Sequence, residues 1–220
     1  GESFDGKICL ASGSGNVSIY TIEKIHQLGG KVVACSDSNG VVYDEKGIDL
    51  TLLKQLKEVE RRRIKDYVEY HNQASYTPGG NIWDIPCQVA MPSATQNEIT
   101  VDDARTLVKN GCIAVGEGAN MPTTPDGVEV FLKAGTAFGP GKAANAGGVA
   151  TSGLEMQQNA SRNKWEFDYT EQRLEKIMVN IHNICYETAD EYGTPGNYVN
   201  GANIAGFMLV ANAMIGLGLV

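Results

Sequence analysis

The chain has 220 residues, 42% of them hydrophobic and 20% charged, enough for one large domain or one domain plus a partner element. A net charge of −8, with Lys and Arg scattered except at Arg61-Arg62-Arg63, speaks against a nucleic-acid partner. The five cysteines have no CxxC spacing, so neither a disulfide framework nor a zinc site is supported, and a reducing, cytoplasmic setting is expected.

No basic and apolar signal segment opens the chain. His26, His71 and His182 are too isolated in sequence to propose a metal cluster. In chain order, Lys7-Ile-Cys-Leu-Ala-Ser12 reads as an apolar strand running into Gly13-x-Gly15-x-x-Ser18 and then a helix over residues 15 to 28. The first glycine permits a tight turn, the second lets the backbone approach a pyrophosphate, and the small third residue lets helix and strand pack closely. Free N–H groups at the helix start would meet the phosphates. A second strand, Lys31-Val-Val-Ala-Cys-Ser36, ends at Asp37, placed where a carboxylate would face an adenosine ribose. The competing view of this segment is a glycine turn with no ligand.

Ser38-Asn39-Gly40 predicts a turn, Val41 to Tyr43 a short strand, and Asp44 to Gly47 a second turn. Leu50, Leu53, Leu56 and Val59 predict a long amphipathic helix whose charged pattern continues to Tyr70. Residues 75 to 86 are Pro- and Gly-rich and predict a loop, followed by a buried strand over Gln88 to Met91. Helices are expected over 102–109 and 125–133, and strands over 113–116 and 136–138. The alternation specifies an α/β fold with a doubly wound, mostly parallel, Rossmann-like sheet.

From Ala146 onward three helices and no strand are expected, giving a dinucleotide-binding domain over 1–145 and a helical C-terminal extension over 146–220. In the middle helix Leu174, Ile177, Met178, Ile181, Ile184 and Cys185 form one apolar stripe, read as core packing. Residues 199 to 220 carry no charge and are long enough to span a bilayer. The amides of Asn200, Asn203 and Asn212 would each need a partner in lipid, so a terminal helix buried against another domain is the expectation.

Three polar, small-residue loops fall after successive strands, at 92–98, 117–124 and 140–152. Open α/β sheets bind ligands beyond the carboxyl ends of their strands, and amides and hydroxyls there can bond a carboxamide or a sugar. The bland alternative is that Asn120 and Asn145 serve their own backbones.

GSGNV at 13–17, ATQNE at 94–98, EGANMPTT at 117–124, PGKAANAGGVATSGLEMQQN at 140–159 and GANIAGF at 201–207 resemble the nucleotide-binding half of hexameric, NADP-type glutamate dehydrogenases, in order over essentially the whole chain. The resemblance implies interconversion of L-glutamate with 2-oxoglutarate and ammonia, with NADP as hydride carrier and a homohexamer as the full-length assembly. By the same resemblance Gly13, Gly15 and Asn16 form the pyrophosphate turn, Asn16 also reaching a ribose, and Ser12, Ser14 and Val17 are assigned to the cofactor with them. Thr95 and Asn120 line the nicotinamide ribose and carboxamide, and Ala94 and Gln96 are assigned to the cofactor beside them. Asn145 lies near nicotinamide and substrate, while Val149 and Ser152 meet the glutamate side chain, Ser152 donating to its γ-carboxylate. Departures from the family pattern are Ser93, where a cysteine is common, and Leu209, Asn212 and Leu217, where Lys, Asp and Gln are typical. The acid–base residues of the family precede this stretch, so no catalytic residue is assigned here, and the chain is expected to bind cofactor without turning over.

Asp37 would ordinarily accept from the 2′-OH of NAD and repel a 2′-phosphate. Relatives with the Ser36-Asp37-Ser38 pattern are commonly NADP-dependent, which leaves NADP preferred and NAD possible. The candidate cations are Lys57, Arg61, Arg62 and Arg63, with Lys57 and Arg61 assigned to the cofactor beside Asp37 and Ser38; the alternative is a solvated face paired with Glu58 and Glu60. A dehydrogenase for apolar amino acids and a non-catalytic dinucleotide module are the other readings. No metal, nucleic acid or membrane partner is expected.

Overall fold

A computed structural model describes residues 2–218. The chain forms two compact units, divided between Phe138 and Gly139. That division precedes the limit at 145 expected from sequence, because a short helix over 141–144 packs with the helices that follow it.

In the first unit β1 (Ile8–Ala11) leads into α1 (Asn16–Gln27) and β2 (Lys31–Asp37). Then come β3 (Gly40–Tyr43), α2 (Leu50–Lys54), β4 (Ser75–Pro78), β5 (Val89–Met91), α3 (Val101–Lys109), β6 (Ala114–Gly116), α4 (Pro125–Ala134) and β7 (Ala137–Gly139). The sheet order is β4-β3-β2-β1-β5-β6-β7. β1 pairs in parallel with β2 on one side and β5 on the other, and β5 pairs in parallel with β6. Cys9, Leu10 and Ala11 are fully buried, as a central parallel strand covered on both faces requires. Growth of the sheet reverses at β1, so right-handed crossovers place α1 on one face and α3 and α4 on the other. Ile19, Ile22 and Ile25 of α1 fill the core against Cys9, Val32 and Leu53.

Two local expectations are corrected, and the mostly parallel sheet carries an antiparallel edge. β3 and β4 run antiparallel, joined to β2 through the two-residue loop Ser38-Asn39, with Val42 opposite Tyr76. Residues 75–86 are therefore not wholly loop: β4 is a polar edge strand, and a 3-10 turn at Ile82–Asp84 buries Ile82 and Trp83. The long helix over 50–70 does not form. After α2 the chain makes a π-type turn over Gln55–Val59, passes through Arg61 at φ +57°, and resumes as a 3-10 helix over Ile64–Glu69. The wide turn lets Arg62 N donate to Leu56 O at 2.8 Å, and Leu53, Leu56, Ile64 and Tyr67 all remain buried. His71 stacks on Tyr67 between the carboxylates of Asp44 and Asp49, at 3.4 and 3.3 Å.

The second unit holds α5 (Gly141–Ala144), α6 (Ala146–Ser161), α7 (Phe167–Glu191) and α8 (Tyr198–Leu217). Of the predicted α7 stripe, Cys185 is buried, Leu174, Ile177, Met178 and Ile181 are half-buried, and Ile184 is exposed. α7 and α8 cross at Gly201, where a Cβ would overlap the Cys185 carbonyl. Within this unit Phe207, Leu209, Val210, Ile215 and Leu217 of α8 are exposed. By length and composition α8 is the one described helix apolar enough to cross a membrane, with hydropathy 1.3 over its most apolar window. All five cysteines are buried and free.

Candidate functional site

A cleft of about 580 Å³ opens beyond the carboxyl ends of β1, β2 and β5, at the point where the sheet order reverses. Its lining comes from residues 13–17, 36–38, 93–95 and Glu98.

The turn after β1 is held from several sides. Ser12 is fully buried, and its hydroxyl accepts from Ser93 N at 2.7 Å, tying β1 to the loop after β5. Gly13 N donates to the Ser36 hydroxyl at 2.9 Å, and the Ser18 hydroxyl donates to Gly13 O at 2.9 Å. Gly13 sits at φ +81°, and a Cβ there would stand 3.2 Å from Ala94 Cβ. Gly15 is extended, and a Cβ on it would meet nothing within 4 Å, so its backbone faces open space. No side chain caps α1, whereas Thr100 and Thr124 cap α3 and α4. An uncapped helix start with an approachable backbone fits a ligand phosphate through N–H groups and the helix dipole.

At the second wall the Asp37 side chain is buried. Asp37 Oδ1 accepts from Asn39 N at 2.8 Å, while Oδ2 accepts from Ile64 N at 3.5 Å and lies 3.8 Å from Arg63 Nη1. That same Nη1 donates to the Ser38 hydroxyl at 3.0 Å. Lys57 instead donates to the Arg62 carbonyl at 3.1 Å, and Arg62 is engaged by Glu60, Asp66 and Glu69. Lys57, Arg61 and Arg63 all lie outside the cleft lining; of these, Arg63 touches it, through the lining residues Ser38 and Asp37. The left-handed turn at Arg61 redirects the chain, and no helical periodicity could have announced it.

At the third wall Glu98 Oε1 accepts from Ala94 N at 3.0 Å and Thr95 N at 3.3 Å. Burial pushes the Glu98 carboxyl up from its ordinary range, against hydrogen bonds from Ser12, Ala94 and Thr95 that pull it down. Ser93 donates its hydroxyl to Met91 O at 3.0 Å, so this departure from the family pattern is satisfied locally. Gln96 is exposed and outside the lining. The 117–124 loop lies alongside, with Gly118 N and Ala119 N donating to Pro92 O at 2.9 and 3.0 Å. Asn120 is exposed on that loop, also outside the lining.

Asn145, Val149 and Ser152 belong to the second unit. Asn145 joins α5 to α6, Val149 is 79% exposed on α6, and the Ser152 hydroxyl donates to Gly148 O at 3.2 Å. Among the described residues no cluster of His, Cys, Asp and Glu is arranged to hold a metal. The titratable side chains in the cleft lining are the carboxylates of Asp37 and Glu98.

The family profile described as Glutamate/Leucine/Phenylalanine/Valine dehydrogenase matches residues 1–218. The chain belongs to this dehydrogenase family. It is 54% identical to the NADP-specific glutamate dehydrogenase of Helicobacter pylori over 99% of its own length and 50% of that protein's. To the NADP-specific glutamate dehydrogenase of Escherichia coli it is 48% identical, over 100% of this chain and 49% of the relative. A solved glutamate dehydrogenase of Plasmodium falciparum superposes with a TM-score of 0.94 at 44% identity, covering 97% of this chain and 47% of that one. The chain thus spans about half the length of the dehydrogenases it matches. The doubly wound α/β architecture expected from sequence is the one seen in these family members.

Proposed function

We propose that this chain is the cofactor-binding half of a glutamate dehydrogenase that prefers NADP. The reaction is L-glutamate + NADP⁺ + H₂O = 2-oxoglutarate + NH₄⁺ + NADPH + H⁺. Bound cofactor supplies the hydride acceptor. The chain's residues hold it: Gly13 to Val17 at the pyrophosphate, Asp37, Ser38 and Arg63 at the adenosine end, and Ala94 and Thr95 at the nicotinamide ribose, with Asn120 on the neighbouring loop. Asn145, Val149 and Ser152 are assigned to nicotinamide and glutamate, Ser152 exchanging its helix bond to Gly148 O for the substrate γ-carboxylate.

The observation that carries the NADP preference is the Arg63 guanidinium on the Ser38 hydroxyl, a cation and a donor together at the end of β2. Relatives named NADP-specific, in Haemophilus influenzae as well as those above, support it. NAD as a second cofactor is supported by Asp37, which lines the cleft, and by a relative in Xylanibacter ruminicola named NAD(P)-specific. Five free, buried cysteines fit a cytoplasmic setting. A further domain covering the exposed apolar side chains of α8, and a homohexameric full-length assembly, complete the proposal.

Calorimetric titration of the chain with NADP⁺ and NAD⁺ in one low-salt buffer tests the cofactor assignment. Tighter NADP⁺ binding is expected. An NAD⁺ preference would reassign Asp37 as a ribose ligand, and the absence of binding by either would remove the cleft as a cofactor site.

A further inference from the structure

The charged groups lining the cleft are both carboxylates, Asp37 and Glu98, although the ligand proposed for it is a polyanion. Asp37 has Arg63 beside it. Glu98 is balanced differently: its partners are the N–H groups of Ala94 and Thr95 and the hydroxyl of Ser12, which itself receives Ser93 N. No cation contributes to its ionisation. The groups around it are uncharged on every side within the cleft lining except Asp37 across at β2: Ser12 at the end of β1, Ser14 to Val17 at the start of α1, and its own loop. Behind it, the Trp83 ring nitrogen donates to the Glu98 carbonyl at 3.2 Å and fixes the backbone.

We propose that Glu98 is a positioning residue of the dinucleotide site, its carboxylate fixing the Ala94–Thr95 backbone at the ligand's edge and taking up a proton when the anionic ligand enters. The proposal rests on the dinucleotide reading of the cleft. Both backbone bonds fall on Oε1, so a proton on Oε2 leaves the loop in place. A negative ligand near a half-buried carboxylate without a cationic partner favours its neutral form, so the bound-state pKa exceeds the free-state value. Affinity is then strongest at low pH and weakens as pH rises through the bound-state pKa, by at most about tenfold per pH unit for one proton.

The test is calorimetry of NADP⁺ binding to the full 220-residue chain and its Glu98→Gln and Glu98→Ala variants, over about pH 5 to 8. The cofactor's own 2′-phosphate titrates near pH 6 in every case, so the ratio of wild-type to Gln affinities isolates Glu98. Expected are a wild-type profile that falls more steeply than the Gln profile, and a roughly tenfold loss for Glu98→Ala at every pH from two amides left without an acceptor. Coincident wild-type and Gln profiles would overturn the proposal and leave the cleft assignment standing. No NADP⁺ or NAD⁺ binding by the wild type would overturn both. Should the variants not fold, wild-type titrations with NAD⁺, which carries no 2′-phosphate, in two buffers of different ionisation enthalpy decide alone: net proton uptake on binding supports the role of Glu98, and none refutes it.

Discussion

Arg63 Nη1 donates to the Ser38 hydroxyl at 3.0 Å while standing 3.8 Å from the Asp37 carboxylate. One guanidinium therefore offsets the acid that would repel a 2′-phosphate and presents remaining N–H groups beside the hydroxyl that would bond it. Arg63→Ala should weaken NADP⁺ about 10- to 100-fold, and NAD⁺ much less, because a charge-assisted contact to the phosphate is lost only with NADP⁺. Arg61→Ala should leave both affinities within about twofold, since Arg61 lies on an exposed turn, whereas Arg63 bonds the lining residue Ser38. Equal losses for the two cofactors in Arg63→Ala, measured by calorimetry, would remove Arg63 as the source of selectivity.

The two glycines of the turn should fail in different ways. Gly13→Ala forces an L side chain into φ +81° against Ala94 and Ser93, costing about 1–2 kcal/mol before any contact is counted. Gly15 has an extended backbone and an empty Cβ direction, so Gly15→Ala should fold with unchanged urea stability yet lose cofactor affinity, its methyl standing where a pyrophosphate approaches. Normal cofactor binding by Gly15→Ala would place the phosphates elsewhere.

How much was legible in the sequence follows from how local each feature is. Cys9 to Ala11 and Val32 to Cys35 announced buried parallel strands because an apolar run bounded by turns has few other uses. The glycine turn was equally local. The helix over 50–70 was misjudged because its apolar spacing is real, with Leu53, Leu56, Ile64 and Tyr67 all buried, while the break depends on Arg61 adopting a conformation its residue type disfavours. β4 was invisible because an exposed edge strand has no apolar pattern; its pairing with β3 defines it. At the site, Ser38 and Arg63 are 25 residues apart, and only the folded chain shows the Arg63 guanidinium on the Ser38 hydroxyl. Asn145, Val149 and Ser152 lie in a second compact unit, so their relation to the cleft is not a local property either.

The cysteines should behave as core residues. Burial pushes the thiols of Cys9 and Cys35 up to about 12, with Asp37 adding to the effect at Cys35. Both should therefore be protonated at neutral and mildly alkaline pH and resist alkylation in the native chain, becoming reactive in denaturant. Mass spectrometry after a short iodoacetamide pulse reads this directly; rapid native labelling of Cys9 or Cys35 would show that the β1–β2 core opens on that timescale.

Gly201 and Gly206 share a helix but not an environment. Glycine in a helix normally costs about 0.5–1 kcal/mol relative to alanine, so Gly206→Ala, with no atom within 4 Å of the new Cβ, should raise stability by that order. Gly201→Ala should do the opposite. Its Cβ would overlap the Cys185 carbonyl and come within 3.2 Å of Ala189 Cβ, and because the first obstacle is helix backbone, α7 and α8 must separate to admit it. An overpacking loss of about 1–3 kcal/mol outweighs the gain in helix propensity. Urea midpoints for the two variants should move in opposite directions from the wild type. A shift of the same sign in both would mean that the α7–α8 crossing is looser than the backbone contact at Gly201 requires.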